Sequence, residues 1–158
     1  DVYKRQVDVR EEKLALAREA GATHAVHARE EDAVARVREL TDGGAAYAFE
    51  CAGSEQVLEQ AYRATGRGGT TVTVSLPDPA RTVRIPAVSL VTEERTLRGS
   101  YMGSSVPRRD IPRYLSLYRA GLLPVDRLLS RVIRLDEINE AFDRLAEGAV
   151  VRQVVRFD

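Results

Sequence analysis

Short apolar runs and helical repeats alternate along the chain from about Asp8 to Tyr101. The run "VDV" (7–9) precedes "REEKLALAREAGA", in which Leu14 and Ala17 lie three apart, Leu16 and Ala20 four apart, and Gly21 occupies a helix-stop position. "THAVHA" then reads as a strand, and "EDAVARVRELTDGG" as a helix with Val34, Val37 and Leu40 on one face. "AAYAFECAG" is an apolar strand broken by Gly53. "SEQVLEQAYRAT" is a helix with Ser54 as its expected N-cap and Val57, Leu58, Ala61 and Thr65 at helical spacing. "GGTTVTVSLPD" is a further strand, stopped by Pro77. Strands alternating with helices predict a parallel sheet with crossover helices, an α/β doubly wound fold of the Rossmann type.

Beyond this the pattern changes. "TVRIP" and "RTLRGSYMG" read as extended pieces around a short linker, and "DIPRYLSLYRAG" and "LDEINEAFDRLAEG" as amphipathic helices. Ile111, Tyr114, Leu115 and Tyr118 mark the apolar face of the first; Ile138, Ala141, Phe142 and Leu145 mark that of the second. "VVRQVVRF" supplies a closing strand.

Composition narrows the partners. Lys plus Arg and Asp plus Glu both number 24, so no global field draws the chain to nucleic acid or an anionic membrane, and small molecules are the expected partners. One cysteine, Cys51, rules out an internal disulfide and a cysteine-cluster metal site. No apolar run reaches the length of a membrane span and no signal-peptide pattern opens the chain, so a cytoplasmic location is expected. His24, His27 and Cys51 lack the ligand spacing of a zinc site, and no metal ligand is assigned here.

Asp8 ends the first strand. In a dinucleotide-binding fold an acid at the end of the second strand accepts hydrogen bonds from the vicinal hydroxyls of the adenosine ribose. The alternative is a capping role for the following helix, to which Asp8 and Glu11 are suitably spaced. The glycine fingerprint that accompanies such an acid belongs roughly 20 residues upstream, where this chain has no sequence. "DVYKRQ" (1–6) fits the pattern poorly and resembles the translation of a transposase adapter; it is set aside as a processing scar, with the natural sequence resuming near Val7.

Five motifs in order are "VDVREEKLALAREAGATH", "YAFECAGS", "GGTTVTVSLP", "LRGSYMGS" and "INEAFDRLAEG" followed by "VRQVV". Together they resemble the C-terminal part of the medium-chain, zinc-dependent alcohol dehydrogenases, in the liver-type or glutathione-dependent formaldehyde dehydrogenase branch. The resemblance implies a Rossmann sheet lacking its first strand and glycine loop over 7–101, and a segment of the catalytic, GroES-like domain over 102–158. It implies NAD as cofactor, with Asp8 on the ribose hydroxyls and Lys13 beside the same sugar. Cys51, Ala52 and Gly53 would line the adenosine half of the cleft, and Val74, Ser75 and Leu76 would flank the nicotinamide. Ser100, Tyr101 and Met102 would offer backbone groups to the carboxamide, and Arg152 would reach the pyrophosphate. The family often has glycine where Ser75 stands, and the added hydroxymethyl is expected to crowd the ribose or hydrogen-bond to it.

The same resemblance places the zinc ligands and catalytic residues of the parent enzyme in a domain outside this chain, so no catalytic residue is assigned here. The implied reaction moves hydride between an alcohol, or a thiol-hemiacetal adduct, and the nicotinamide, in a homodimer or higher homo-oligomer joined along "RTLRGSY". Two other readings stand beside it: a zinc-independent quinone reductase of the same superfamily and a non-catalytic nucleotide-sensing module. A class I methyltransferase is disfavoured, because one strand after "INEAFDRLAEG" does not supply the antiparallel hairpin that ends that fold. If the first strand lies between the second and fourth, "VDV" and "THAV" should either stand apart from the sheet of "AAYAFECAG" and "GGTTVTVSL" or slide into a non-native pairing with it.

Overall fold

A computed structural model of the chain describes residues 3–157. The backbone divides into two compact units, 1–104 and 105–158. The first runs β1 (Arg5–Asp8), α1 (Glu11–Glu19), β2 (His24–His27), α2 (Ala33–Leu40), β3 (Ala45–Glu50), α3 (Glu55–Ala64), β4 (Thr65–Thr73), α4 (Ala87–Thr92) and β5 (Thr96–Gly99). All its strand pairs are parallel. β1 and β2 form one sheet, with Asp8 opposite His27; β3, β4 and β5 form another, with Glu50 opposite Thr73 and Thr73 opposite Gly99. The two sheets stand apart, as the missing-strand reading expects.

The expected apolar face of α2 builds the core between them. Val37 is buried with Val26 of β2, Ala33 and Ala64, while Val34, Leu40 and Ala45 pack around them. Asp32 caps α2, its carboxylate accepting the Val34 and Ala35 amides at 2.9 and 3.0 Å. Leu14 of α1 is fully buried. Ser54 stands at the N-cap of α3, but its hydroxyl makes no cap bond.

Where β3 and β4 begin, their backbones nearly touch. A β-carbon added at Gly44 would lie 2.5 Å from the Gly66 Cα and amide nitrogen, and one at Gly69 would lie 2.5 Å from the Thr65 methyl. Only glycine permits this approach. The Thr65 hydroxyl, fully buried, meets the Ala61 carbonyl at 2.8 Å and the Thr71 hydroxyl at 2.7 Å, so no buried oxygen is left wanting. On the far side of α3, Arg95 lies over the Tyr62 ring at 5.0 Å, donates to the Tyr62 carbonyl at 2.6 Å and pairs with Glu93. That clamp ties β5 to α3.

Three expectations change. β1 starts at Arg5, so residues set aside as a scar take part in the fold: Arg5 pairs with His24 and its guanidinium donates to the Leu40 carbonyl at 2.7 Å. Ladder pairing uses backbone groups and is indifferent to how a side chain fits a pattern; Asp1 and Val2 lie outside the described residues. β4 ends at Thr73, short of Pro77, and "TVRIP" joins no strand. The stretch read as a linker contains α4.

The second unit holds α5 (Pro107–Arg119), β6 (Leu129–Ile133), α6 (Ile138–Ala146) and β7 (Arg152–Val155). β6 and β7 pair in parallel, with Ile133 opposite Val155. β6 has no counterpart among the sequence expectations. Asp110 serves the start of α5: its carboxylate accepts the Val106 amide at 2.7 Å and the Arg109 guanidinium at 2.7 Å, and these bonds hold its pKa at about 2. The amphipathic helices form where expected, yet Ile111, Tyr114, Leu115, Tyr118, Phe142 and Leu145 are exposed.

Candidate functional site

The C-terminal ends of parallel strands are where an open α/β sheet presents its ligand crevice. Asp8 ends β1, and its Oδ1 accepts the amides of Val9 at 2.7 Å and Arg10 at 3.1 Å. The carboxylate is thus fixed to the turn after the strand. It does not cap α1, whose N-cap is Arg10. Lys13 sits in the first turn of that helix, its amide bonded to the Arg10 carbonyl at 3.1 Å.

On the second sheet the strand ends converge more tightly. The Val74 amide donates to the Glu50 carbonyl at 3.1 Å, and the Ser100 amide to the Thr73 carbonyl at 2.9 Å, so the loops leaving β3, β4 and β5 lie side by side. Cys51, Ala52, Gly53, Val74, Ser75, Leu76 and Ser100 share this edge. Gly53 has φ +75, and a β-carbon there would meet only the Ser75 Cβ at 3.8 Å, so its backbone is open to a ligand. Leu76, in the loop leaving β4, is 80% exposed. Tyr101 and Met102 follow in a short 3-10 segment, both exposed, with Met102 at φ +48.

Glu50 holds this edge together, and sequence reasoning passed over it. It is 2% exposed. Its Oε1 accepts the Ala52 amide at 2.6 Å and the Gly53 amide at 2.7 Å; its Oε2 accepts the Thr73 hydroxyl at 2.7 Å and the Ser75 hydroxyl. Burial alone would raise the carboxyl pKa, but the bonds from Ser75, Thr73, Gly53 and Ala52 outweigh it and hold the pKa below the ordinary value. The signal was present in the sequence as one carboxylate at the end of the apolar strand "AAYAFE". A buried acid in such a place demands partners.

Two of the expected site residues lie at this network. Ser75 points its hydroxyl at Glu50, where it satisfies a buried carboxylate. Cys51 is exposed because the chain leaves the sheet immediately after Glu50. Partial desolvation, followed by the Glu50 charge, raises the Cys51 thiol pKa. Arg152 lies on the second unit, exposed, as the first residue of β7.

Residues 6–120 match the family model of the zinc-binding dehydrogenases. The chain belongs to that family. It is 38% identical over 146 residues to geraniol dehydrogenase of Castellaniella defragrans, covering 92% of this chain and 39% of that protein. The putative alcohol dehydrogenase D of Mycobacterium tuberculosis is 40% identical over 139 residues, covering 85% and 38%. Benzyl alcohol dehydrogenase from Acinetobacter calcoaceticus superposes with a TM-score of 0.94 at 32% identity, covering 99% of this chain and 43% of that one. The chain therefore spans about two fifths of the length of these relatives, and it corresponds to the cofactor-binding C-terminal part of zinc-type alcohol dehydrogenases.

A zinc-binding dehydrogenase implies a nicotinamide dinucleotide and a zinc ion. The strand-end residues suit the first: an oriented carboxylate at Asp8 for ribose hydroxyls, an open backbone at Gly53, and apolar surface at Val74 and Leu76 for a ring. They do not suit the second. Among the described residues no three His, Cys, Asp or Glu side chains converge, and no role for zinc is derived for this chain.

Proposed function

We propose that this chain is the NAD-binding part of an alcohol dehydrogenase of the liver-type or glutathione-dependent formaldehyde dehydrogenase branch. The substrate is a small alcohol, or a thiol-hemiacetal adduct, interconverted with its oxidised partner. The observation supporting NAD is the Asp8 carboxylate, pinned through Oδ1 by two backbone amides at the end of β1. A carboxylate so placed accepts from the two ribose hydroxyls and repels a 2′-phosphate. Lys13 lies beside the sugar, Cys51 to Gly53 line the adenosine half, and Val74 to Leu76 orient the nicotinamide. Backbone groups at Ser100, Tyr101 and Met102 meet the carboxamide. The nicotinamide carries the hydride; these residues bind it, orient it and exclude water from one face. By this reading residues 7–101 belong to the cofactor domain and 102–158 to the catalytic domain, in a cytoplasmic enzyme.

The test is cofactor choice in the full-length dehydrogenase carrying this segment. Asp8→Gly is expected to narrow the kcat/KM preference for NAD over NADP by about tenfold, with Arg10 assisting the phosphate. Discrimination that stays the same or widens removes Asp8 from the ribose site.

A homodimer through β5 completes the proposal. The Ser100 amide bonds to β4 and backbone groups alternate along a strand, so the Leu97 amide faces away from the sheet along an exposed edge. A twin strand across a two-fold axis would cover it. Leu97→Pro deletes that donor and is expected to shift the full-length enzyme towards monomer in sedimentation velocity; a parent that is already monomeric contradicts the dimer.

A further inference from the structure

Glu50 is not among the residues that the cofactor reading assigns to the ligand, yet it bonds to two of the segments that would receive it. Its two oxygens face in different directions. Oε1 gathers the amides of Ala52 and Gly53, which set the course of the loop leaving β3. Oε2 gathers the hydroxyls of Thr73, the last residue of β4, and of Ser75 beyond it. A carboxylate offers about four lone-pair sites, and here four donors take them. Alternative packing would require at least one of these donors to be buried without a partner, or the carboxylate to be left under-solvated in a site that is 2% exposed.

The consequence is geometric. The Gly53 backbone and the Ser75 side chain lie near each other, 3.8 Å from an added Gly53 β-carbon to the Ser75 Cβ, and Glu50 is the side chain that bonds to both. We propose that Glu50 is a positioning residue that locks the Cys51–Gly53 loop to the strand end at Ser75, so that the adenosine side and the nicotinamide side of the cleft are set by one carboxylate. The inference rests on the cofactor-site reading above. It also gives the serine a reason: where glycine would leave Oε2 with one hydroxyl, Ser75 supplies the second.

The experiment measures dissociation constants of ADP-ribose and NAD by calorimetry on the full-length, zinc-loaded dehydrogenase, for the parent and for E50A, E50Q and S75A, below the thermal midpoint of each. E50A is expected to weaken both ligands about tenfold and S75A about threefold. E50Q should recover most of the loss, since its carbonyl oxygen still accepts the two amides while its amino group donates to the hydroxyls. In turnover the loss should fall mainly on the KM for NAD, with kcat at saturating cofactor changed less; a carboxylate that only stabilises the fold would lower the midpoint and leave both dissociation constants alone. A parent that binds both ligands, with variants that bind them equally well, overturns this inference and leaves the cofactor reading standing. A parent that binds neither overturns both. Should E50A fail to fold, unchanged constants in E50Q and S75A together overturn it.

Discussion

Produced by itself, the 158-residue chain is expected to aggregate or to unfold without a cooperative transition, and to bind NAD weakly or not at all. The reason lies in the uncovered surfaces. β3 is the outer strand of its sheet, and Tyr47 and Phe49, on one face of it, are 68% and 64% exposed. β1 and β2 form a two-stranded sheet, a unit with little independent stability in water. In the second unit Ile133 and Ala141 are the fully buried apolar residues among those described, beneath helices whose apolar faces lie open. Open edges flanked by aromatic side chains are templates for association with other chains. Whole-domain stability is about 5–15 kcal/mol, so bare faces of this extent leave little margin. Calorimetry and an NAD titration on the purified chain check the prediction. A sharp two-state transition together with micromolar NAD affinity would show that the two sheets need no further strand.

The second large effect is expected at the glycine contact between β3 and β4. Gly44→Ala in the full-length enzyme should lower stability by about 3 kcal/mol or more, since the new methyl group would sit 2.5 Å from backbone atoms of Gly66 that no rotamer change can move. Gly44 also has φ +141, where an L-residue is strained. Gly43→Ala separates the two causes: its φ is +110, but nothing lies within 4 Å of the added carbon. That variant should lose only about 1 kcal/mol, the strain alone. Urea unfolding midpoints of the two compared with the parent give the answer, and equal losses would mean that the strands can part at no cost.

The parts of the fold legible in the sequence are those in which periodicity and stop signals agree. α2 shows its Val34, Val37 and Leu40 face and ends before Gly43, so pattern and packing coincide. α4 escaped notice because six residues, Ala87–Thr92, are too few to display a helical period and carry no side-chain cap. β6 was missed for a similar reason: "LSRVI" has one buried residue, Ile133, and so little alternation to read. At the candidate site, Asp8 stands out in the sequence because a strand-end acid has a short list of uses. Glu50 does not, because its meaning depends on Thr73 and Ser75, more than twenty positions away, and only strand pairing brings them within reach. The bond from the Ser75 hydroxyl to Glu50 is hidden from the sequence for the same reason. A hydroxyl's partner is a fact of tertiary structure.

The parallel pairing sets the order in which the chain can become ordered. Among the described residues no two neighbouring strands are joined by a hairpin: Asp8 waits for His27, Glu50 for Thr73, Thr73 for Gly99 and Ile133 for Val155, each across an intervening helix. A ladder of this kind gains nothing until a long loop has closed, so its formation is slow compared with that of local turns and helices. During synthesis β3 therefore leaves the ribosome with its backbone unpaired, and it stays so while α3 and the glycine-rich start of β4 are still being made. The interval is one in which a holdase chaperone, with affinity for aromatic strands, has its best access to this protein.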